Sequence, residues 1–292
     1  MRPAVLLFLM PLSLRHAHGQ FSTHMFEGRR FETIVPRQSW MQLPLLVALH
    51  PGGMNGALFC GMLGTHSFTR RFYTVCPNGL NGTWNVVAEN GHVDDIGYLY
   101  RFVDHMYTVH SATLLPKVVL YGQSNGGALV NRVMVESTDR RIVAAVTDAC
   151  QLHTVQFHEG SFWAGGRNNL YELPQPTLVR RKLLQLTGGM DTVVPAGGGD
   201  SNIEGLHGAP LHFLSWWKSA NAFARAFGVD TVPQPPFDLF MAPMVVFEEG
   251  YVVAINDEEA GHLVLGPRGN ESAAYGRAAD RIDLWLRRFV HA

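Results

Sequence analysis

The stretch VVLYGQSNGGALVNRVM, Val118 to Met134, limits what this chain can fold into more than any other. Val118, Val119, Leu120 and Tyr121 are apolar and β-prone, whereas Ala128, Leu129, Val130, Val133 and Met134 recur at helical spacing. Between the two patterns lies Gly122-Gln123-Ser124-Asn125-Gly126, a G-x-S-x-G sequence. Its small residues let a strand turn sharply into a helix and hold the serine hydroxyl at the apex, which makes Ser124 a candidate nucleophile. The bland reading of the same residues is a glycine-rich turn.

Other apolar runs share the strand signature: Phe31 to Val35, Pro44 to Leu49, Phe72 to Cys76, Lys117 to Tyr121, Ile142 to Val146, Leu183 to Thr187 and Tyr251 to Ile255. Helical spacing appears over Asp95 to Met106, with Asp94 or Asp95 placed to cap it, over Leu211 to Phe227, and over Ala274 to Val290. Alternating strands and helices predict an α/β fold with a mostly parallel sheet covered on both faces, whose ligands lie beyond the carboxyl ends of the strands. Two stretches break the rhythm. Gln151 to Thr177, with Phe157, Phe162, Trp163 and Tyr171, and the glycine-rich Ala196 to Pro210 read as a lid or pocket walls, or as plain surface loops.

Of 292 residues 47% are apolar and 16% charged, which excludes a largely disordered chain. The net charge is −1 and basic residues are nowhere concentrated, so neither nucleic acid nor an anionic membrane is an expected partner. At the N-terminus Arg2, the apolar run Ala4 to Leu14 and Ala17-His18-Gly19 read as a signal peptide over residues 1–19, with a single catalytic domain over 20–292. Secretion is then expected, against the alternative of a ragged N-terminal tail on a cytoplasmic protein. The run is shorter than the roughly 20 apolar residues a membrane span needs, and Pro11 interrupts it. Three cysteines, Cys60, Cys76 and Cys150, permit one disulfide or none. Asn81-Gly82-Thr83 and Asn270-Glu271-Ser272 are glycosylation sequons.

A serine hydroxyl needs a base, and the base needs a carboxylate to orient it; on this architecture the order is Ser, acid, His. His207, His212, His262 and His291 are in range, and His262 stands best, a few residues after the strand ending at Ile255. For the acid, Asp191 in TGGMDTVVP follows a strand, and Asp148 after IVAAVT competes with it. Oxyanion donors are expected from the amide of Asn125 and from Gly52 or Gly53 in LHPGG, since Pro51 has no N–H. Cys150, His153 and His158 could be read as metal ligands, but Cys-x2-His-x4-His lacks a fourth partner, so no metal and no cofactor are expected.

In order, GRRFETIVP, LPLLVALHPGG, FYTVCPNG with TWN behind it, VDDIGYLYRFVDHM, YGQSNGGALVNRV, GGMDTVVP and AGHLVLGP resemble the α/β-hydrolase esterases grouped with polyhydroxybutyrate depolymerases, feruloyl esterases and acetylxylan esterases. The resemblance runs from about Gly28 to the C-terminus. It implies an α/β-hydrolase fold with a lid-like insertion, Ser124 as nucleophile, Asp191 as acid, His262 as base, and an ester of the polyhydroxyalkanoate, feruloyl or acetyl kind as substrate. Trp84 in TWN and His50 in the oxyanion loop are the substrate-binding candidates. The chain departs from the family pattern at Pro51, where glycine is common, at Gly188-Gly189, where His-Gly is frequent, and at Val264, where tryptophan is typical. The rival readings are a protein of this fold that binds without turnover, and a peptidase of the same fold.

Overall fold

The computed structural model describes residues 19–37, 41–87, 89, 91, 93–205, 208–229, 244–262, 265 and 273–290. The proposed signal peptide lies outside them except for Gly19, as do His207, Val264, His291 and the second sequon.

The chain opens with three strands, β1 (Gly19–Phe26), β2 (Arg29–Pro36) and β3 (Leu43–Leu49), followed by helix α1 (Gly56–Leu63), β4 (Tyr73–Pro77) and α2 (Asp95–His110). Next come β5 (Leu114–Gln123), α3 (Asn125–Glu136) and β6 (Ile142–Asp148), then three short strands, β7 (Phe157–His158), β8 (Ser161–Ala164) and β9 (Leu173–Gln175). The remainder is β10 (Lys182–Gly188), β11 (Gly199–Glu204), β12 (Pro210–Phe213), α4 (Trp216–Ala226), β13 (Met244–Phe247), β14 (Val252–Asp257) and α5 (Ala273–Phe289).

One nine-stranded sheet, in the order β1-β2-β4-β3-β5-β6-β10-β14-β13, organises the molecule. The six strands from β4 to β14 pair in parallel, and the antiparallel pairs lie at the two margins. Strand alternation sorts the buried residues into two cores. Leu45, Val47, Leu49, Val118 and Leu120 join Phe102 of α2, Leu129 of α3 and Phe223 of α4 on one face. Leu46, Ala48, Val119 and Tyr121 join Phe59 of α1 and Ile282 of α5 on the other. Cys60 of α1 and Cys76 of β4 form a disulfide, with Cα atoms 5.7 Å apart, while Cys150 is a buried free thiol.

All seven expected strands are present, and α2 starts as expected, with the Asp94 carboxylate accepting from the Gly97 amide at its N-cap. The helix expected over Leu211 to Phe227 begins only at Trp216. Leu211 and Phe213 are buried while His212 between them is exposed, and that two-residue alternation belongs to β12, which pairs with β11 in a hairpin. The excursion from Gln151 to Thr177 is ordered by β7, β8 and β9 in a small sheet, whose Phe162 ring packs tilted against Phe223 of α4, centroids 5.2 Å apart.

Candidate active site

Ser124 occupies the turn between β5 and α3 with φ 52° and ψ −119°, a left-handed conformation that costs a Cβ-bearing residue about 1–3 kcal/mol. The turn is possible because Gly126 follows: a Cβ there would lie 2.2 Å from the carbonyl oxygen of Leu49 at the end of β3. The Ser124 amide donates to the main-chain carbonyl of Asp148 at 2.8 Å, fixing the turn to β6.

The Ser124 Oγ is 2.7 Å from Nε2 of His262, and His262 Nδ1 is 2.8 Å from Oδ2 of Asp191. Asp191 follows β10, and its other oxygen accepts from the amides of Val193 and Val194, both at 2.8 Å. With Nδ1–H donated to a carboxylate, Nε2 is left as the acceptor for the serine proton. Of the four histidines in range the structure therefore brings His262 to the serine; His212 instead faces Asp200 within its hairpin.

Asp148 does not reach the imidazole nitrogens. Its Oδ2 accepts from Tyr121, Gln123 and the Leu265 amide at 2.8, 2.8 and 3.1 Å. Complete burial pushes this carboxyl up to about 6, against the three donors that pull it down.

Opposite the serine, the two glycines of the expected oxyanion loop separate. Gly53 already donates its amide to Gly82 at 2.8 Å, so it is not free for an oxyanion. The Gly52 amide has no acceptor among the described residues, and a Cβ at this position would come 3.6 Å from Asn125 Cβ. Gly52 thus lies against Asn125, the residue directly after Ser124.

The two substrate-binding candidates need correcting. His50 and Trp84 are both 0% exposed. His50 donates from Nδ1 to the Pro51 carbonyl at 2.8 Å and accepts the Gly79 amide on Nε2 at 2.9 Å, which fixes its neutral tautomer; burial lowers its pKa. Trp84 donates from its indole to the His50 carbonyl at 3.0 Å. The pair ties the oxyanion loop to Gly79, and neither side chain reaches the surface.

Sequence reasoning assigned Asn125 only its amide. Its side chain accepts from the Trp84 amide and the Thr83 hydroxyl at 2.7 and 3.0 Å, and donates to the Trp84 carbonyl and Glu89 at 3.0 and 3.2 Å. Nothing in the residue pattern separates such a bridge from an ordinary helix-start asparagine. The three residues weighed as metal ligands have other neighbours. The Cys150 thiol faces the Gln151 carbonyl, His153 packs edge-on against Tyr171 and Phe213, and His158 stacks on Trp163.

No protein-family model matches the chain, and no curated protein matches it. Solved structures do. An acetyl xylan esterase from Aspergillus awamori superposes with a TM-score of 0.60 at 15% identity, covering 88% of this chain and 98% of that one. The esterase Est2 from Thermogutta terrifontis gives 0.55 at 14% identity, over 93% and 92% of the two chains. The chain has the α/β-hydrolase fold.

That fold also underlies the acylaminoacyl peptidase of Pyrococcus horikoshii, with a TM-score of 0.56 at 11% identity, covering 93% of this chain and 42% of that one. In an α/β-hydrolase fold a nucleophile elbow, an acid loop and a histidine loop follow one another along the chain. Ser124, Asp191 and His262 occur in that sequence order at the ends of β5, β10 and β14.

Proposed function

We propose that this chain is a serine carboxylic-ester hydrolase. The observation that carries the reading is the unbroken series of contacts from Asp191 through His262 to the Ser124 hydroxyl. Ser124 Oγ attacks the acyl carbon while its proton passes to His262 Nε2, and the Asp191 carboxylate stabilises the imidazolium. The oxyanion accepts from the amides of Asn125 and Gly52, a contribution worth about 100- to 1000-fold in rate for each donor. Collapse expels the alcohol, which takes the proton from His262; water, deprotonated in turn by His262, then releases the acid and regenerates the serine.

The substrate is an ester of the acetyl, feruloyl or polyhydroxyalkanoate kind, a range that rests on the motifs quoted above and on a neighbour named as an acetyl xylan esterase. Residues 1–19 act as a secretion signal; the Cys60–Cys76 disulfide supports this, since such bonds persist in oxidising compartments. Removal of those residues would leave β1 short of only its first residue.

The test is intact-mass detection of a fluorophosphonate adduct on wild type and on Ser124→Ala, alongside hydrolysis of p-nitrophenyl acetate, p-nitrophenyl butyrate and a matching p-nitroanilide. One adduct on wild type alone, with ester turnover, is expected. A folded wild type with neither adduct nor turnover overturns the reading, and faster cleavage of the anilide than of the esters replaces it with a peptidase.

A further inference from the structure

The carboxylate that does not touch the imidazole nitrogens has a position of its own. Asp148 ends β6 directly beside Gln123, the residue before the nucleophile, in strand register. Its Oδ2 gathers donors from two segments: Tyr121 and Gln123 of β5, and the amide of Leu265, three residues beyond His262. The Gln123 amide also donates to the Leu265 carbonyl at 2.8 Å, so both the N–H and the carbonyl of Leu265 are held. Asp148, Gln123 and Leu265 are all fully buried. On the other flank of His262, the Ala260 amide donates to Asp257 at 3.0 Å, and the Ala260 carbonyl accepts from Met190 of the acid loop at 2.9 Å. The histidine is pinned on both sides, by the acid loop before it and by Asp148 after it.

Few charged groups surround the carboxylate. Tyr121 from β5 and His262 from the loop after β14 are the titratable groups that face it, and β10 places uncharged Leu186 alongside in register. No arginine or lysine among the described residues is paired with Asp148. Burial and the neighbouring Asp148 hold the Tyr121 phenol neutral. The one nearby group that can become a cation is therefore His262, which does so as it takes the serine proton.

We propose that Asp148 is a positioning residue: together with Gln123 it locks the His262 loop onto the nucleophile strand through both polar groups of Leu265. The inference rests on the esterase reading above.

Asp148→Asn separates charge from shape. An asparagine oxygen can accept the same three donors, and its amide would replace Oδ1, which has no partner among the described residues. The measurement is kcat and KM for p-nitrophenyl acetate of Asp148→Asn and Asp148→Ala, with thermal unfolding followed in parallel. Asp148→Asn, which keeps the acceptor, is expected to hold kcat within about threefold, and Asp148→Ala, which removes it, to lose roughly tenfold in kcat at little changed KM. A folded Asp148→Ala with wild-type kcat overturns the proposal. Should Asp148→Ala fail to fold, Gln123→Met keeps the carboxylate and its direct bond from the Leu265 amide but removes the Gln123 bonds to Asp148 and to the Leu265 carbonyl. A lower kcat at unchanged KM is then expected, and an unchanged kcat overturns the proposal. Absence of turnover and of a fluorophosphonate adduct in wild type would instead sink the esterase reading itself.

Discussion

Replacing Ser124 by alanine and by glycine separates the strain at the turn from the chemistry of the hydroxyl. Both variants lose the 2.7 Å contact with His262, so their difference reports only the backbone. At φ 52° and ψ −119° a residue with a Cβ carries about 2 kcal/mol of strain, the middle of the range for sparsely populated conformations. Glycine escapes that strain but loses about 0.7 kcal/mol through its more flexible unfolded chain. The difference favours glycine by about 1 kcal/mol, or roughly 2–4 °C in melting temperature for a chain of this size. At an ordinary helical position the sign is the reverse. Thr108, exposed in α2, supplies the control: glycine there should be about 1 kcal/mol less stable than alanine. Guanidinium unfolding of the four variants measures all the terms. If Ser124→Gly proved no more stable than Ser124→Ala while the Thr108 pair behaved normally, the turn would not store the strain assigned to it.

Asp191→Asn removes the charge that orients and stabilises His262, and kcat for p-nitrophenyl acetate should fall by about 10⁴ with little change in KM; activity near wild type would remove Asp191 from the acid role. Replacing Cys60 and Cys76 together by serine opens a 16-residue separation and should cost about 3 kcal/mol of stability while ester hydrolysis at room temperature persists, which paired denaturation and rate measurements check. Burial drives the pKa of His153 down to about 3, from 6.5 when free, so the unfolded chain binds a proton that the fold does not. Stability should therefore fall as pH drops from 6.5 towards 3, by up to about 1.4 kcal/mol per pH unit. Asp148, raised from 3.8 to about 6, acts in the opposite sense across that shorter interval, because there the fold holds the extra proton. His153→Phe should remove the first effect, so that the variant gains stability relative to wild type between pH 6 and pH 4. An unchanged pH slope in the variant would refute the assignment to His153.

The central strands were legible because burial on both faces leaves continuous apolar runs, as in LPLLVAL of β3. The marginal elements carry no such signature. Half of β1 is exposed, and its GQFSTHMF is as polar as a loop; it is a strand because β2 pairs with it. In α1 the sequence GALFCGML contains two glycines that disfavour helix, and buried Phe59, Leu63 and the disulfide at Cys60 hold it against that preference. Ser124, Asp191 and His262 could be singled out because their order and their places after strands carry meaning. His50 and Trp84 were misjudged for a complementary reason. A loop sequence shows that a large side chain is present but not whether it points at the ligand or at the floor below, and here hydrogen bonds to Gly79 and to the His50 carbonyl turn both inward. The same limit hid the Asn125 side chain, whose partners at Thr83 and Trp84 are some forty positions away.

Strand order explains why the histidine needs so much support. His262 follows β14, and Ser124 follows β5; β10 and β6 lie between them in the sheet. With strands about 4.8 Å apart, the histidine loop must reach back across three spacings, roughly 14 Å, to bring Nε2 to the hydroxyl. It therefore crosses the end of β10 first. A Cβ on Gly188 there would lie 2.2 Å from the Gly261 carbonyl, and one on Gly189 would lie 2.7 Å from the Cα of Glu258, so the bare backbone of these two glycines lets the loop pass. Asp191, just beyond them, meets Nδ1 as the ring goes over. The end of β6 comes next, where Asp148 receives Leu265 and stops the loop from sliding further. Each carboxylate thus serves the part of the loop that its own strand underlies. Asp191 meets the ring because β10 is crossed first, and Asp148 meets the backbone beyond it because β6 lies next to the nucleophile strand.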